Sequence, residues 1–140
     1  MKPIEMYEPR ILIRDWGSET IVAETPDYLG KILVYMPGKA GGLQFHVEKD
    51  ESFHLSEGWG YLDYDAGDGK LTRKVMTAGQ TVHIPAGAVH RFEAGVRCVG
   101  FETSTPHYDD RVRVEERYGV PTIGDGPGLP TTWPKEASDE

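Results

Sequence analysis

A chain of 140 residues fits one domain and can bury about two-thirds of the surface that its unfolded form exposes. Its formal charge of −8, from 15 basic and 23 acidic residues, argues against a nucleic-acid partner, because such binding rests on Lys and Arg neutralising phosphates. A lone cysteine, Cys98, rules out disulfides within the chain, and no apolar run has the length of a membrane span. The expected setting is the cytoplasm, with no membrane partner.

Taken in chain order, the apolar segments are short, alternating and closed by Gly or Pro. Stretches 11–14, 19–24, 31–36, 43–47 and 52–57 read as strands, and 60–65, 71–76, 80–84, 89–94 and 97–103 continue the series. The turn signals "MPGKAGG", "AGDGK", "TAGQ" and "PAGA" lie between them. So many closely spaced strands in one domain imply a sandwich or barrel. The stretch 107–119 reads as helical, with Asp109 or Asp110 near its start and Gly119 at its stop. Composition then shifts to Pro, Gly and acid, which divides the chain into a barrel with a short terminal helix (1–119) and an irregular tail (120–140). Within the tail, Leu129 and Trp133 are candidates for fastening it to the barrel or to a neighbouring subunit.

The chemistry concentrates in "QFHVEKDESF", 44–53. Side chains alternate along a strand, so Gln44, His46 and Glu48 are expected on one face. If that face lines a barrel interior, an imidazole and a carboxylate are buried together, and buried charge is costly unless paired or bound to a metal. Glu51, Phe53 and Leu55 then share the inward face, which leaves Asp50 and His54 outside. Far along the chain, "GQTVHIPAGAVHRF" sets a Pro-Ala-Gly turn just before His90, which aims that imidazole reproducibly. Two imidazoles with one or two carboxylates suit Fe(II), Mn(II), Zn(II) or Ni(II). By residue type alone, H-x-E-x-x-E fits a solvated acidic strand edge equally well.

The two blocks resemble the paired motifs of the cupin superfamily, H-x-H-(three or four)-E-(six)-G and G-(five)-P-x-G-(two)-H. The second is complete in Gly79, Pro85, Gly87 and His90. The first keeps His46, Glu51 and Gly58 but has Glu48 where a second histidine is usual. Together with "RDWGSE" and "DDRVRVEERYG", the blocks are similar to the C-terminal domain of type II mannose-6-phosphate isomerases over roughly residues 13–119.

The resemblance implies an all-β fold, the double-stranded β-helix of the cupin jelly-roll barrel. It also implies one divalent metal on His46, Glu51 and His90, with Glu48 as fourth ligand by position or, if Glu48 turns away, a two-histidine, one-carboxylate set with open positions. Phe53 and His83 stand where that branch has Trp and Tyr, and Arg91 stands where a substrate phosphate would be met. The expected activity is a metal-dependent sugar or sugar-phosphate isomerase or epimerase, with Glu48 or His83 as general base and with Gln44, Phe53 and Arg91 contacting a small-molecule substrate. An Fe(II)-dependent dioxygenase of a small organic acid is the first alternative. A non-catalytic small-molecule-binding barrel is the second. Exposed strand edges point to a homodimer.

Overall fold

The computed structural model describes residues 1–108 and 110–122. Its strands are β1 (Arg10–Arg14), β2 (Gly17–Glu24), β3 (Leu29–Tyr35), β4 (Gln44–His46), β5 (Glu51–Glu57) and β6 (Trp59–Asp65). They continue with β7 (Leu71–Thr77), β8 (Thr81–Ile84), β9 (His90–Ala94), β10 (Cys98–Ser104) and β11 (Arg111–Arg113), and then one helix, α1 (Glu115–Tyr118). Every strand expected from alternation forms within two residues of its expected bounds.

Two antiparallel sheets result, ordered β1-β2-β3-β10-β5-β8 and β11-β4-β9-β6-β7. Strand β10 inserts between β3 and β5, and β9 inserts between β4 and β6. Each sheet is therefore completed by chain from both halves of the sequence, which is the double-stranded β-helix arrangement. The inward rows pack a core of Trp16, Leu33, Tyr35, Phe53, Leu55 and Phe92, with Trp16 stacked on Tyr35 at 4.3 Å between ring centroids. A smaller cluster, Leu43, Val89 and Val114, lies beneath the terminal segment.

Two glycines fix turns that frame the site. A Cβ on Gly17 would fall 1.8 Å from the Val34 carbonyl oxygen, so the turn after Trp16 can close only without one. Gly87 takes φ 87°, and its N–H donates to the His46 carbonyl at 2.7 Å, tying the Pro-Ala-Gly turn to β4.

The helix is shorter than its pattern suggests. Residues 111–113 form a strand instead, pairing Arg111 with His46, Val112 with Phe45 and Arg113 with Gln44. Strand β4 has an open edge there, and ladder hydrogen bonds outweigh the helical propensity of three residues. Gly119 does stop the helix, at φ 68°, whereas its N-terminal flank is Val114 and Asp110 caps nothing. Asp109 and the tail from residue 123, including Leu129 and Trp133, lie outside the described residues.

Candidate metal centre

Strand β4 delivers His46 at its last position, β5 begins with Glu51, and the turn at Pro85–Gly87 opens β9 with His90. The inward parity of these positions brings the three side chains together. His46 Nε2 lies 3.4 Å and His90 Nε2 3.2 Å from one oxygen, Glu51 Oε2. All three ligand atoms lie within 4.8 Å of one another.

The protons on the rings follow from their other nitrogens. His90 Nδ1 lies 2.9 Å from the Ala88 carbonyl oxygen, which can only accept. His46 Nδ1 lies 3.0 Å from Asp110 Oδ1. Each neutral imidazole therefore carries its proton on Nδ1 and turns an Nε2 lone pair toward Glu51. Glu51 Oε2 is buried and has no hydrogen-bond partner. Three lone-pair donors facing one another inside a protein repel, and a divalent cation among them resolves the conflict. The donor set thus fits a metal.

The carboxylate is poised for that role. Burial alone would raise the Glu51 carboxyl, but the Lys49 ammonium beside it outweighs burial and holds the group well below its ordinary range. Its second oxygen, Oε1, faces Lys49 Nζ at 3.6 Å.

Comparison with known proteins follows the geometry. No family model matches the chain. It is 29% identical over 124 residues to a mannose-1-phosphate guanylyltransferase of Klebsiella pneumoniae, with a similar match to the Escherichia coli enzyme. That match covers 82% of this chain but only 24% of the relative, so the chain spans about a quarter of these proteins' length. Among solved structures, it superposes with a TM-score of 0.68 on the capsular polysaccharide assembling protein CapF of Staphylococcus aureus (23% identical, 77% of this chain, 33% of that one). A double-stranded β-helix protein of Klebsiella pneumoniae follows at 0.52, with 19% identity over 74% of this chain and 82% of that one. The chain has the cupin fold.

The pocket beside the cluster is a cavity of about 120 Å³ lined by both aromatic and charged side chains. Trp16, Tyr35, Phe53 and Phe92 supply its aromatic lining. Strands β1, β2, β3 and β10, with the loop before β5, supply charges of alternating sign. Arg14 Nε donates to Glu19 Oε2 at 2.6 Å, Lys31 Nζ to Glu19 Oε1 at 3.1 Å, and Lys49 Nζ to Glu102 Oε2 at 2.6 Å. Lys31 also lies 3.9 Å from Glu102, so the chain of opposite charges runs unbroken from Arg14 to Glu51. Burial would lower the Lys49 ammonium, but Glu102 and Glu51 raise it. Lys31 and Glu102 fall in no motif, while Arg14, Glu19 and Lys49 lie within "RDWGSE" and "QFHVEKDESF" with no role read for them. Parity was the available signal: Lys31 shares its face with Leu33 and Tyr35, and Glu102 shares its face with Cys98 and Gly100.

The remaining expected site residues separate cleanly. Gln44 and Phe53 line the cavity, and Gln44 Oε1 is buried without a hydrogen-bond partner. Arg91 reaches the cavity while its Nε and Nη2 donate to Asp63 Oδ2 at 3.2 and 3.1 Å. Glu48 does not face inward. Strand β4 ends at His46, so alternation stops there, and the Glu48 side chain is 69% exposed with Oε1 3.2 Å from His107 Nε2. His83 also lies outside, 62% exposed and 2.6 Å from Asp50 Oδ1.

Proposed function

We propose that this cupin is a metal-dependent isomerase or epimerase of a small oxygenated substrate, a sugar or sugar phosphate, with one divalent ion (Fe, Mn, Zn or Ni) on His46, Glu51 and His90. The observation that carries this reading is the convergence of two imidazole Nε2 atoms on one buried carboxylate oxygen, Glu51 Oε2. Bound there, the metal would act as a Lewis acid on a carbonyl or hydroxyl. The aromatic lining offers flat apolar faces to a sugar ring, and Gln44 Oε1 offers an acceptor to a hydroxyl. Arg91, fixed by Asp63, presents a cation at the cavity edge for an anionic group. The names of the curated relatives, which concern mannose 1-phosphate, support a sugar-phosphate substrate. Exposure argues against Glu48 and His83 as base or as fourth ligand.

Elemental analysis of wild type, Glu48→Ala and His90→Ala tests the centre. About one metal per chain is expected in the first two and close to none in His90→Ala. Loaded protein incubated with sugar phosphates in deuterated water should incorporate deuterium beside the carbonyl. Oxygen consumption on small organic acids would instead establish the Fe(II) dioxygenase, which the same two-histidine, one-carboxylate set suits. A chain that takes up no metal would leave only a small-molecule-binding barrel.

We also infer a homodimer in the cytoplasm. No helix among the described residues is long and apolar enough to cross a membrane, and Cys98 is a buried free thiol, which suits a reducing compartment. The outer face of the large sheet leaves Ile11, Ile13 and Phe101 exposed, with β1 at its edge. Light scattering should give twice the chain mass for wild type and a single chain mass for Ile13→Asp. A monomeric wild type would refute the dimer.

A further inference from the structure

We propose that Asp110 is a positioning residue for the metal centre: its carboxylate sets the tautomer of His46 and fixes the loop between His46 and Glu51. The proposal rests on the metal reading above and extends it to a residue 64 positions away from His46 in sequence.

Four consecutive residues are fastened to this one side chain and its backbone. Asp110 Oδ1 accepts from His46 Nδ1 at 3.0 Å. Oδ2 accepts the backbone N–H of Glu48 and of Lys49, both at 2.7 Å. The Asp110 carbonyl accepts the N–H of Val47 at 3.1 Å. The stretch 47–50 lies between β4 and β5 and has no ladder partner, so these N–H groups depend on Asp110. A loop held at each successive residue delivers both ligands, His46 at its start and Glu51 at its end.

The role needs a carboxylate rather than any polar group. Three donors meet two oxygens, and both oxygens must accept. Asparagine has one carbonyl oxygen and one NH₂. With the NH₂ turned to His46, Nδ1 must accept, so the proton moves to Nε2 and stands where a metal would bind. With the oxygen turned to His46, the NH₂ opposes two backbone N–H groups and the loop is pushed off. His90 has no such dependence, because its Nδ1 partner is the Ala88 backbone carbonyl.

The test is Asp110→Asn in the full chain, read in two ways. Titration of metal-free protein with Zn²⁺ alone, under a competing chelator and below the melting temperature of both proteins, should show affinity weakened about 10–100-fold. Long-range proton–nitrogen correlation spectra of the metal-free proteins should place the His46 proton on Nδ1 in wild type, and in the variant should show it moved to Nε2 or the Glu48 and Lys49 amides displaced. An Asp110→Asn protein with a lower Tm but the same Zn²⁺ affinity would overturn the proposal, leaving Asp110 as a loop staple only. So would a wild-type His46 protonated on Nε2, a result that stands even if the variant fails to fold. If wild type binds no Zn²⁺, the metal reading falls, and the spectra alone decide. A wild-type proton on Nδ1, together with a moved tautomer or displaced Glu48 and Lys49 amides in Asp110→Asn, sustains Asp110 as the group that orients His46 and its loop; a variant with both unchanged overturns it.

Discussion

Glu102→Gln is expected to lower the free energy of unfolding by about 3–5 kcal/mol, the usual consequence of removing one partner from a buried ion pair. Glu102 accepts from Lys49 Nζ at 2.6 Å and lies 3.9 Å from Lys31 Nζ, and all three residues are buried. Glutamine has nearly the same volume, so packing is preserved and the change isolates charge. What remains is two ammonium groups on either side of a neutral amide. Lys31 keeps Glu19, but Lys49 keeps only the more distant Glu51 Oε1, at 3.6 Å. Metal uptake should weaken as well, because an ammonium drawn toward Glu51 competes with a cation for the same carboxylate. Urea unfolding of metal-free wild type and variant gives the number directly. A loss below about 1 kcal/mol would place the pair in the range of solvated surface bridges and contradict a continuous buried chain.

How far the sequence could be read follows from which interactions are local. Strand placement needs only alternation and turn residues, and it came out within two residues throughout. His46, Glu51 and His90 were accessible for the same reason, since parity and the Pro-Ala-Gly turn fix their direction. The inward placing of Glu48 carried parity past the end of β4, and its exposure fits the alternative in which it turns away. The strand stops when His46 reaches the cavity, and the next residues turn to meet Asp110. Lys31 and Glu102 stood in inward rows that hydrophobicity alone reads as misplaced charge. Only the register of β3 against β10, which sets Lys31 opposite Glu102, shows that the two neutralise each other. Asp110 was legible only as a helix start, and its contact with His46 was out of reach. Its partners lie more than sixty residues back, and they meet it only because "RVR" joins the edge of β4 rather than starting a helix.

The same charges make acid stability a readout of the barrel interior, and the sign follows from Glu19. Burial would push its carboxyl up, yet the Lys31 and Arg14 charges and their hydrogen bonds outweigh burial and bring it from 4.5 down to about 2. Below pH 4.5 the unfolded chain therefore binds a proton that the folded chain refuses. The stability contributed by Glu19 is complete above pH 4.5 and is lost as pH falls through that value toward 2, at up to about 1.4 kcal/mol per pH unit and about 3 kcal/mol in total. Glu51, Asp63, Asp110 and Glu115 are shifted in the same direction and steepen the fall. Urea midpoints at pH 6, 4 and 3 should drop sharply for wild type. Glu19→Gln should begin lower, since Lys31 loses its nearest carboxylate and Arg14 its bond to Glu19, and should then decline less steeply below pH 4.5. Equal slopes in the two proteins would mean that Glu19 titrates like a solvated carboxylate, and the chain of charges from Arg14 to the metal centre would then be open to water at its first link.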